Sequence, residues 1–446
     1  MEICESKKKE ILKCFDKFIN VCKSPEEFEK LVKLVFKARN DEMFLEYVGP
    51  LLILGEFYEI LPKNENWDDI IYEYMMRIKD GVEKYLPNIS ISLFNGLSDI
   101  GYSIYSVYKK TGYYGKFLNT LNSYIVEELN NLLDIAENNV GNMYSTDYDT
   151  IYGFAGIGGY LLMFKEDENI LNALKRIIKL FVNMTMNIEV KGYKVPGWYI
   201  PAEKLFDDKS KEQYKNGNFN EALSHGICGP LVFMSLSLNE GIEIKGQKEA
   251  IKNIIDELLR FSHKDEFENI YWTGIISFDD YIKGEENEIN TNRQSWCYGT
   301  IGIARSLYIA GNAIKNQDIL KFSNEILEGI SEMSIDSWML QCSHICHGYG
   351  GALAIMEAMN KDNKNEKYES CIEKLTDIII DSFDSNSLFG FYNYTTQRDK
   401  TFNEENLQLT YQDDHTFLEG SLGTVLALMT YLEPNRDYWM RHIMIK

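Results

Sequence analysis

The sequence predicts an all-α protein folded as an α/α toroid: a double-layered helical barrel of repeated helix pairs, with short non-helical insertions on one rim. Three observations lead there. A motif of two glycines three residues apart, followed by an apolar run, occurs six times. Each run is apolar on nearly all helical faces, which demands burial all round. The stretches between the runs are amphipathic and more charged, as helices of an outer layer would be.

The copies begin at Gly96 (GLSDIGYSIYSV), Gly153 (GFAGIGGYLLMF), Gly226 (GICGPLVFMSL), Gly299 (GTIGIARSLYIA), Gly348 (GYGGALAIMEAM) and Gly420 (GSLGTVLALMTY), at intervals of 57, 73, 73, 49 and 72 residues. The first copy is degenerate, with Asp99 where the others have the second Gly. One glycine pair means little; six, each opening a helix-forming segment, mark stacked supersecondary units. The glycines allow backbones to approach closely where each helix starts. An open solenoid would also stack such units, but a closed ring better explains one fully buried helix per repeat. Among the amphipathic segments, Ser24-Pro25-Glu26-Glu27 predicts a helix start with an N-cap Ser, Pro in the first turn and a capping-box Glu.

Three intervals carry extra non-helical sequence, residues 188–220, 268–295 and 385–415, rich in Gly, Tyr, Trp, Asn and charge. IYWTGIISFDDYI reads as strand-like pieces around turns. Each interval lies just before a glycine pair, hence on the rim where inner helices begin. No linker divides the chain, so residues 1–446 read as a single toroid domain.

Composition narrows the function. A net charge of −22 argues against a nucleic-acid partner; it suits a basic substrate or plain solubility. The N-terminus, MEICESKKKEILKC, lacks the apolar core of a signal peptide, and VGPLLIL at 48–54 is too short to span a bilayer. The expected location is cytoplasmic, with membrane association only through partners. In such a chain Cys4, Cys14, Cys22, Cys228, Cys297, Cys342, Cys346 and Cys371 read as buried, metal-bound or catalytic before disulfide-bonded. Cys4, Cys14, Cys22 and Cys371 read as inert, and Cys228 as a small buried apolar residue.

The chemistry concentrates at one position of the repeat. The two residues before the first glycine are Phe94-Asn95, Ile151-Tyr152, Ser224-His225, Cys297-Tyr298, Cys346-His347 and Leu418-Glu419. Three adjacent repeats place His or Cys there, and equivalent repeats would bring these side chains to one rim. Two cysteines and one histidine make a Cys₂His set, the pattern of a catalytic zinc site with an open fourth position. Helix N-termini nearby favour thiolate over thiol. QCSHICHG also offers a purely local site from Cys342, His344, Cys346 and His347; the repeat register selects Cys346 and His347 because they abut the glycine.

Trp296-Cys297-Tyr298-Gly299, Cys346-His347-Gly348 and Ser224-His225-Gly226-Ile227-Cys228-Gly229-Pro230 resemble the signature motifs of the lanthionine synthetase C-like cyclases. Phe219-Asn220 and Phe417-Leu418-Glu419-Gly420 extend the resemblance, which runs from about residue 90 to 430 in the family's order. It implies a double-layered α-toroid with Zn²⁺ held by Cys297, Cys346 and His347. It implies His225 as catalytic acid or base, Asp149 as the acidic residue near it, Arg293 as a group placed to stabilise enolate charge, and Tyr298 as a further polar group. The implied reaction adds a peptide cysteine thiolate to dehydroalanine or dehydrobutyrine, forming lanthionine or methyllanthionine rings in a ribosomally made precursor. A separate dehydratase must supply the dehydrated peptide; it and a membrane exporter are the implied partners.

Taken singly, Asp149 could be a helix cap, Arg293 could pair with a surface carboxylate and Tyr298 could be core. His415, before Phe417-Leu418-Glu419-Gly420, reads as a solvent-facing bystander on the rim. Trp198 and Trp272 in the insertions are expected to face a peptide groove, which separates peptide cyclisation from the same addition performed on glutathione. A glycosidase would need paired carboxylates, and the repeat position offers only Glu419. A zinc-stabilised scaffold without catalysis is the remaining alternative.

Overall fold

A computed structural model describes residues 3–36, 42–285, 293–397 and 408–446. Parts of two expected rim insertions, 286–292 and 398–407, lie outside the described residues. Every glycine motif opens a helix where the repeat requires one: Leu97–Thr111, Phe154–Leu161, Cys228–Asn239, Thr300–Ala313, Tyr349–Asp362 and Ser421–Leu432. The described residues group into two compact units, each assembled from three stretches of chain.

One unit comprises Ser90–Gly101, Lys116–Met339 and Met440–Lys446. Its inner helices Phe154–Leu161, Cys228–Asn239 and Thr300–Ala313 are buried along nearly their whole length, as expected of segments apolar on all faces. The amphipathic helices turn one stripe inward. In Glu168–Met184, Ile170, Ala173, Leu174, Ile177, Ile178 and Phe181 are buried at helical spacing, and Asp167 caps the first turn by accepting from the N–H groups of Asn169 and Ile170. Asn316 caps Gln317–Glu332 in the same way. The tail is packed in the core of this unit: Met440, Ile443, Met444 and Ile445 are buried. The Trp296 indole N–H donates to the Ile443 carbonyl at 2.8 Å, and the buried Arg305 donates from Nε and Nη2 to the Ile445 carbonyl at 2.9 and 2.7 Å.

The insertions of this unit form small antiparallel pairs. Asn187–Val190 pairs with Tyr193–Pro196 across a two-residue turn, Lys191-Gly192, both with positive φ, the geometry that matches strand twist. Asn218–Asn220 pairs with Ile275–Ser277, joining two insertions distant in sequence. The insertions are not wholly non-helical, because short polar caps start helices within them: Asp207 accepts from Ser210 N–H and opens Asp208–Gln213, and Ser277 accepts from Asp280 N–H and opens Phe278–Lys283. Nor do the tryptophans face a groove. Trp198 and Trp272 are 3% and 2% exposed, and the Trp272 indole donates to the Leu258 carbonyl at 2.7 Å. The Trp272 ring thereby anchors its insertion to the helix Gln247–Arg260.

The other unit comprises Met1–Ile89, Tyr102–Gly115 and Leu340–Trp439. Tyr349–Asp362 and Ser421–Leu432 are its buried helices, joined by Val48–Glu56, the VGPLLIL segment. Pro50 falls in the first turn of that helix, where its missing N–H removes no helical bond. Ser24 caps Pro25–Val35 by accepting from Glu27 N–H, but the reciprocal half of the expected capping box is absent: the Glu27 carboxylate accepts from Lys30 at 2.6 Å instead. Tyr392–Gln397 and Gln408–Asp413 form an antiparallel pair. No helix among the described residues is long and apolar enough to cross a membrane.

The repeat glycines are required by space. A Cβ on Gly299 would lie 2.1 Å from the Arg293 carbonyl oxygen, and one on Gly302 would lie 2.4 Å from that of Trp296. Helix propensity alone favours Ala over Gly by about 0.5–1 kcal/mol. At Gly302 a backbone atom cannot move aside cheaply, so Gly302→Ala should destabilise by about 1–3 kcal/mol. At Gly329, within Gln317–Glu332, the nearest atom to a Cβ is 3.9 Å away. Gly329→Ala should therefore stabilise by about 0.5–1 kcal/mol. Unfolding midpoints of the two variants, moving in opposite directions, check this.

Candidate active site and metal centre

The loops before the glycines share one construction. In three of them the residue two before the glycine donates a backbone strap to the next repeat, and in a fourth the residue three before it does. Phe94 N–H donates to the Ile151 carbonyl at 3.2 Å and Ser224 N–H to that of Cys297 at 3.4 Å; Thr150 N–H donates to the Ser224 carbonyl at 3.0 Å. Cys346 N–H donates to the Leu418 carbonyl at 2.8 Å. The residue one before the glycine turns outward. Asn95, Tyr152 and Glu419 are exposed and His225, Tyr298 and His347 half-buried, while each following helix is buried. The register therefore presents one side chain per repeat from a fixed backbone.

His225 and Asp149 form a hydrogen-bonded pair. The His225 Nδ1 lies 2.6 Å from Asp149 Oδ2, and Asp149 Oδ1 accepts from the N–H groups of Tyr152 and Gly153 at 2.7 and 2.8 Å. Asp149 thus ties down the loop before Phe154–Leu161 and orients the imidazole. Burial holds its carboxyl above the ordinary aspartate range, against the pull of His225 and the two N–H donors. With Nδ1–H donated to the carboxylate, Nε2 is the nitrogen able to accept or give a proton.

Tyr298 joins this pair: its ring centroid is 6.3 Å from that of His225, and its hydroxyl accepts from Asn220 Nδ2 at 2.8 Å. Asn220 is itself set by strand pairing and by Ala222 N–H, which donates to its Oδ1 at 3.0 Å. Arg293 is half-buried and makes no hydrogen bond or ion pair with a described residue, so it is not joined to the other three.

One ligand atom from each of Cys297, Cys346 and His347, two thiol sulfurs and a ring nitrogen, lie within 4.8 Å of one another. This is the one such group of His, Cys, Asp or Glu found among the described residues. Cys297 is buried and the other two are half-buried. Of the other residues in that segment, the Cys342 sulfur is buried against Asn393 Oδ1 at 3.7 Å, and His344 Nδ1 accepts from His347 N–H at 3.4 Å. Two thiols and an imidazole fit a thiophilic divalent ion such as zinc.

A model of the family described as "Lanthionine synthetase C-like protein" matches residues 47–444. The chain belongs to the lanthionine synthetase C-like family. Among relatives, it is 25% identical to the nisin biosynthesis protein NisC of Lactococcus lactis subsp. lactis over 410 residues, covering 89% of this chain and 87% of that protein. Among solved structures, a nisin cyclase superposes with a TM-score of 0.75 at 24% identity, over 89% of this chain and 90% of that one. The fold is thus the α/α toroid of this family.

Two side chains at the site of this lanthionine synthetase C-like protein went unremarked in the sequence. Tyr152 stacks at 6.1 Å from His225, and Phe206 meets its edge at 5.2 Å. Tyr152 could have been found, since it occupies the outward position of its repeat; Phe206 carries no periodic signal. His415 is corrected: far from facing solvent it is 2% exposed, ringed by Phe28, Phe36 and Phe389, with Nε2 2.8 Å from Glu46 Oε2. Of the cysteines read as inert or as buried apolar residues, Cys14, Cys22, Cys228 and Cys371 are buried, with thiols pushed up by desolvation. Cys4 is exposed, and the Ser6 hydroxyl lowers its thiol.

Asp149→Ala would leave the Tyr152 and Gly153 N–H groups without their acceptor and should cost about 1–3 kcal/mol. Asp149→Asn keeps an acceptor and should cost less. Folded Asp149 holds its proton more tightly than an unfolded aspartate, whose pKa is about 3.9. Its contribution to stability is therefore full below that value and lost as pH rises. Asp149→Asn should accordingly gain stability relative to the parent above about pH 4. Thermal unfolding of the variants across pH reads both effects.

Proposed function

We propose that this protein is a zinc-dependent peptide cyclase, joining cysteine thiols of a dehydrated, ribosomally made precursor to dehydroalanine or dehydrobutyrine as lanthionine or methyllanthionine rings. The observation that carries the reading is the grouping of Cys297, Cys346 and His347 as ligand atoms in a chain that also sets His225 on Asp149. The names of the relatives, a nisin biosynthesis protein and a nisin cyclase, support it. Zinc bound by these three residues would supply a cysteine thiolate of the peptide at neutral pH and hold it in place.

The residues of the chain do the rest. His225 Nε2 accepts the thiol proton while Asp149 steadies Nδ1–H and the imidazolium that results. The sulfur bonds to Cβ of the dehydro residue, the carbon–carbon π pair moves to make an enolate, and the imidazolium returns a proton to Cα. Thiol and alkene are consumed and no atom is lost. Tyr298, whose hydroxyl accepts from Asn220, is the further polar group beside His225 on the side where enolate charge develops. Arg293 would add positive charge there if its guanidinium turns to the site on substrate binding. The dehydro residues come from a separate dehydratase, the expected partner, with an exporter as the second. Trp198 and Trp272 are buried and take no part in telling a peptide from glutathione.

Purified protein incubated with a dehydrated precursor peptide should consume its free thiols, counted by alkylation and mass spectrometry. His225→Asn should keep its metal and cyclise roughly 10²–10⁴-fold more slowly. Peptide thiols that persist while added glutathione becomes attached to the peptide would replace the cyclase reading with the glutathione one. Loss of metal from His225→Asn would make that histidine a ligand and remove the proton-transfer role.

A further inference from the structure

The imidazole of His225 stands between two aromatic rings that nothing in the fold requires to be exposed. Tyr152 is 46% exposed, with its ring tilted only 21° from the imidazole plane. Phe206 is 59% exposed and approaches the imidazole edge-on, at 66°. Large apolar rings left in water at a catalytic nitrogen are informative, because burying such a ring is worth more than a kcal/mol in either folding or binding. Neither ring is loosely held. Tyr152 donates its backbone N–H to Asp149, the same carboxylate that orients His225. Phe206 is pinned on both sides: Leu205 is buried, with its N–H on the Ala202 carbonyl, and Asp207 caps the helix Asp208–Gln213.

The rings also differ in origin. Tyr152 occupies the outward position of its own repeat, whereas Phe206 comes from the insertion at 188–220. A core residue would be covered, and a bystander would not converge with a second ring on one imidazole. What must reach His225 Nε2 is the Cα of a dehydro residue, which is planar, conjugated through its amide and apolar at the β-carbon. Offset-stacked and edge-on aromatic contacts suit such a flat π system better than a tetrahedral saturated residue.

We propose that Tyr152 and Phe206 form a clasp for the dehydro residue of the substrate, holding its plane beside His225 and distinguishing it from a saturated residue. This rests on the cyclase reading. Both residues bind substrate and neither transfers a proton.

The probe is a short synthetic peptide with one dehydrobutyrine and no cysteine, compared with the same peptide carrying saturated 2-aminobutyrate. Calorimetric titration should show the parent protein preferring the unsaturated peptide. Phe206→Ala and Tyr152→Ala should each weaken that binding roughly three- to tenfold and leave the saturated peptide almost unaffected. Phe206→Tyr and Tyr152→Phe, which keep the rings, should retain the preference. Metal content of the Ala variants, measured alongside, should match the parent, and their thermal midpoints should stay close to it, since about half of each side chain is already in water. In the cyclisation assay the Ala variants should raise KM more than they lower kcat. A parent that cyclises peptide but shows no preference for the unsaturated probe, or Ala variants that keep the preference, would overturn the clasp and leave the cyclase reading standing. A parent that neither cyclises nor binds either probe would remove both.

Discussion

The whole site depends on the backbone straps between pre-glycine loops. A loop that must both start a buried helix and reach its neighbour has little freedom. Its N–H and carbonyl groups are too enclosed to be left unpaired, and the strap from Ser224 N–H to the Cys297 carbonyl is one of the bonds that pairs them. The glycine that follows lets the loop fold back on itself, as the 2.1 Å that would separate a Gly299 Cβ from the Arg293 carbonyl makes plain. Once those two conditions are met, the intervening side chain has one direction left to point. His225, Tyr298 and His347 inherit their orientation from the fold.

On that scaffold the electrostatics are arranged by burial. Asp149 is closed off from solvent, which raises the cost of its charge, and three N–H donors offset part of that cost. His225 keeps one edge open. A buried carboxylate behind a partly open imidazole limits proton traffic to the exposed nitrogen, and Asn220 applies the same logic to the Tyr298 hydroxyl. Each of these two polar groups is thus held by a second group behind it.

How much of this could be read from the sequence follows from what each residue answers to. The glycines, the inner helices and the positions of Cys297, Cys346 and His347 answer to a repeat, and a repeat is visible in one chain. Asp149 and Tyr298 became visible only through the family resemblance, because one Asp or one Tyr has too many ordinary uses. The errors fall where local chemistry overrode composition. Trp198 and Trp272 looked like substrate-facing aromatics, yet both are buried, and Trp272 is tied to the helix Gln247–Arg260. His415 looked exposed because it lies in a loop, yet three phenylalanines and Glu46 enclose it. Glu27 had a nearer partner in Lys30 than the backbone it was expected to cap. Phe206 reaches His225 from an insertion, next to the Asp207 cap of a short helix, where no periodic signal marks it.

The central claim is that repeat register, and not nearness in sequence, selects the metal ligands. Elemental analysis of purified Cys297→Ser and Cys342→Ser proteins tests it directly. The parent and Cys342→Ser should each hold about one zinc per chain, as a single Cys₂His set implies, and Cys297→Ser should lose it. If Cys342→Ser is stripped of metal while Cys297→Ser keeps it, the ligands come from the local Cys342–His347 segment and the register has no part in the chemistry.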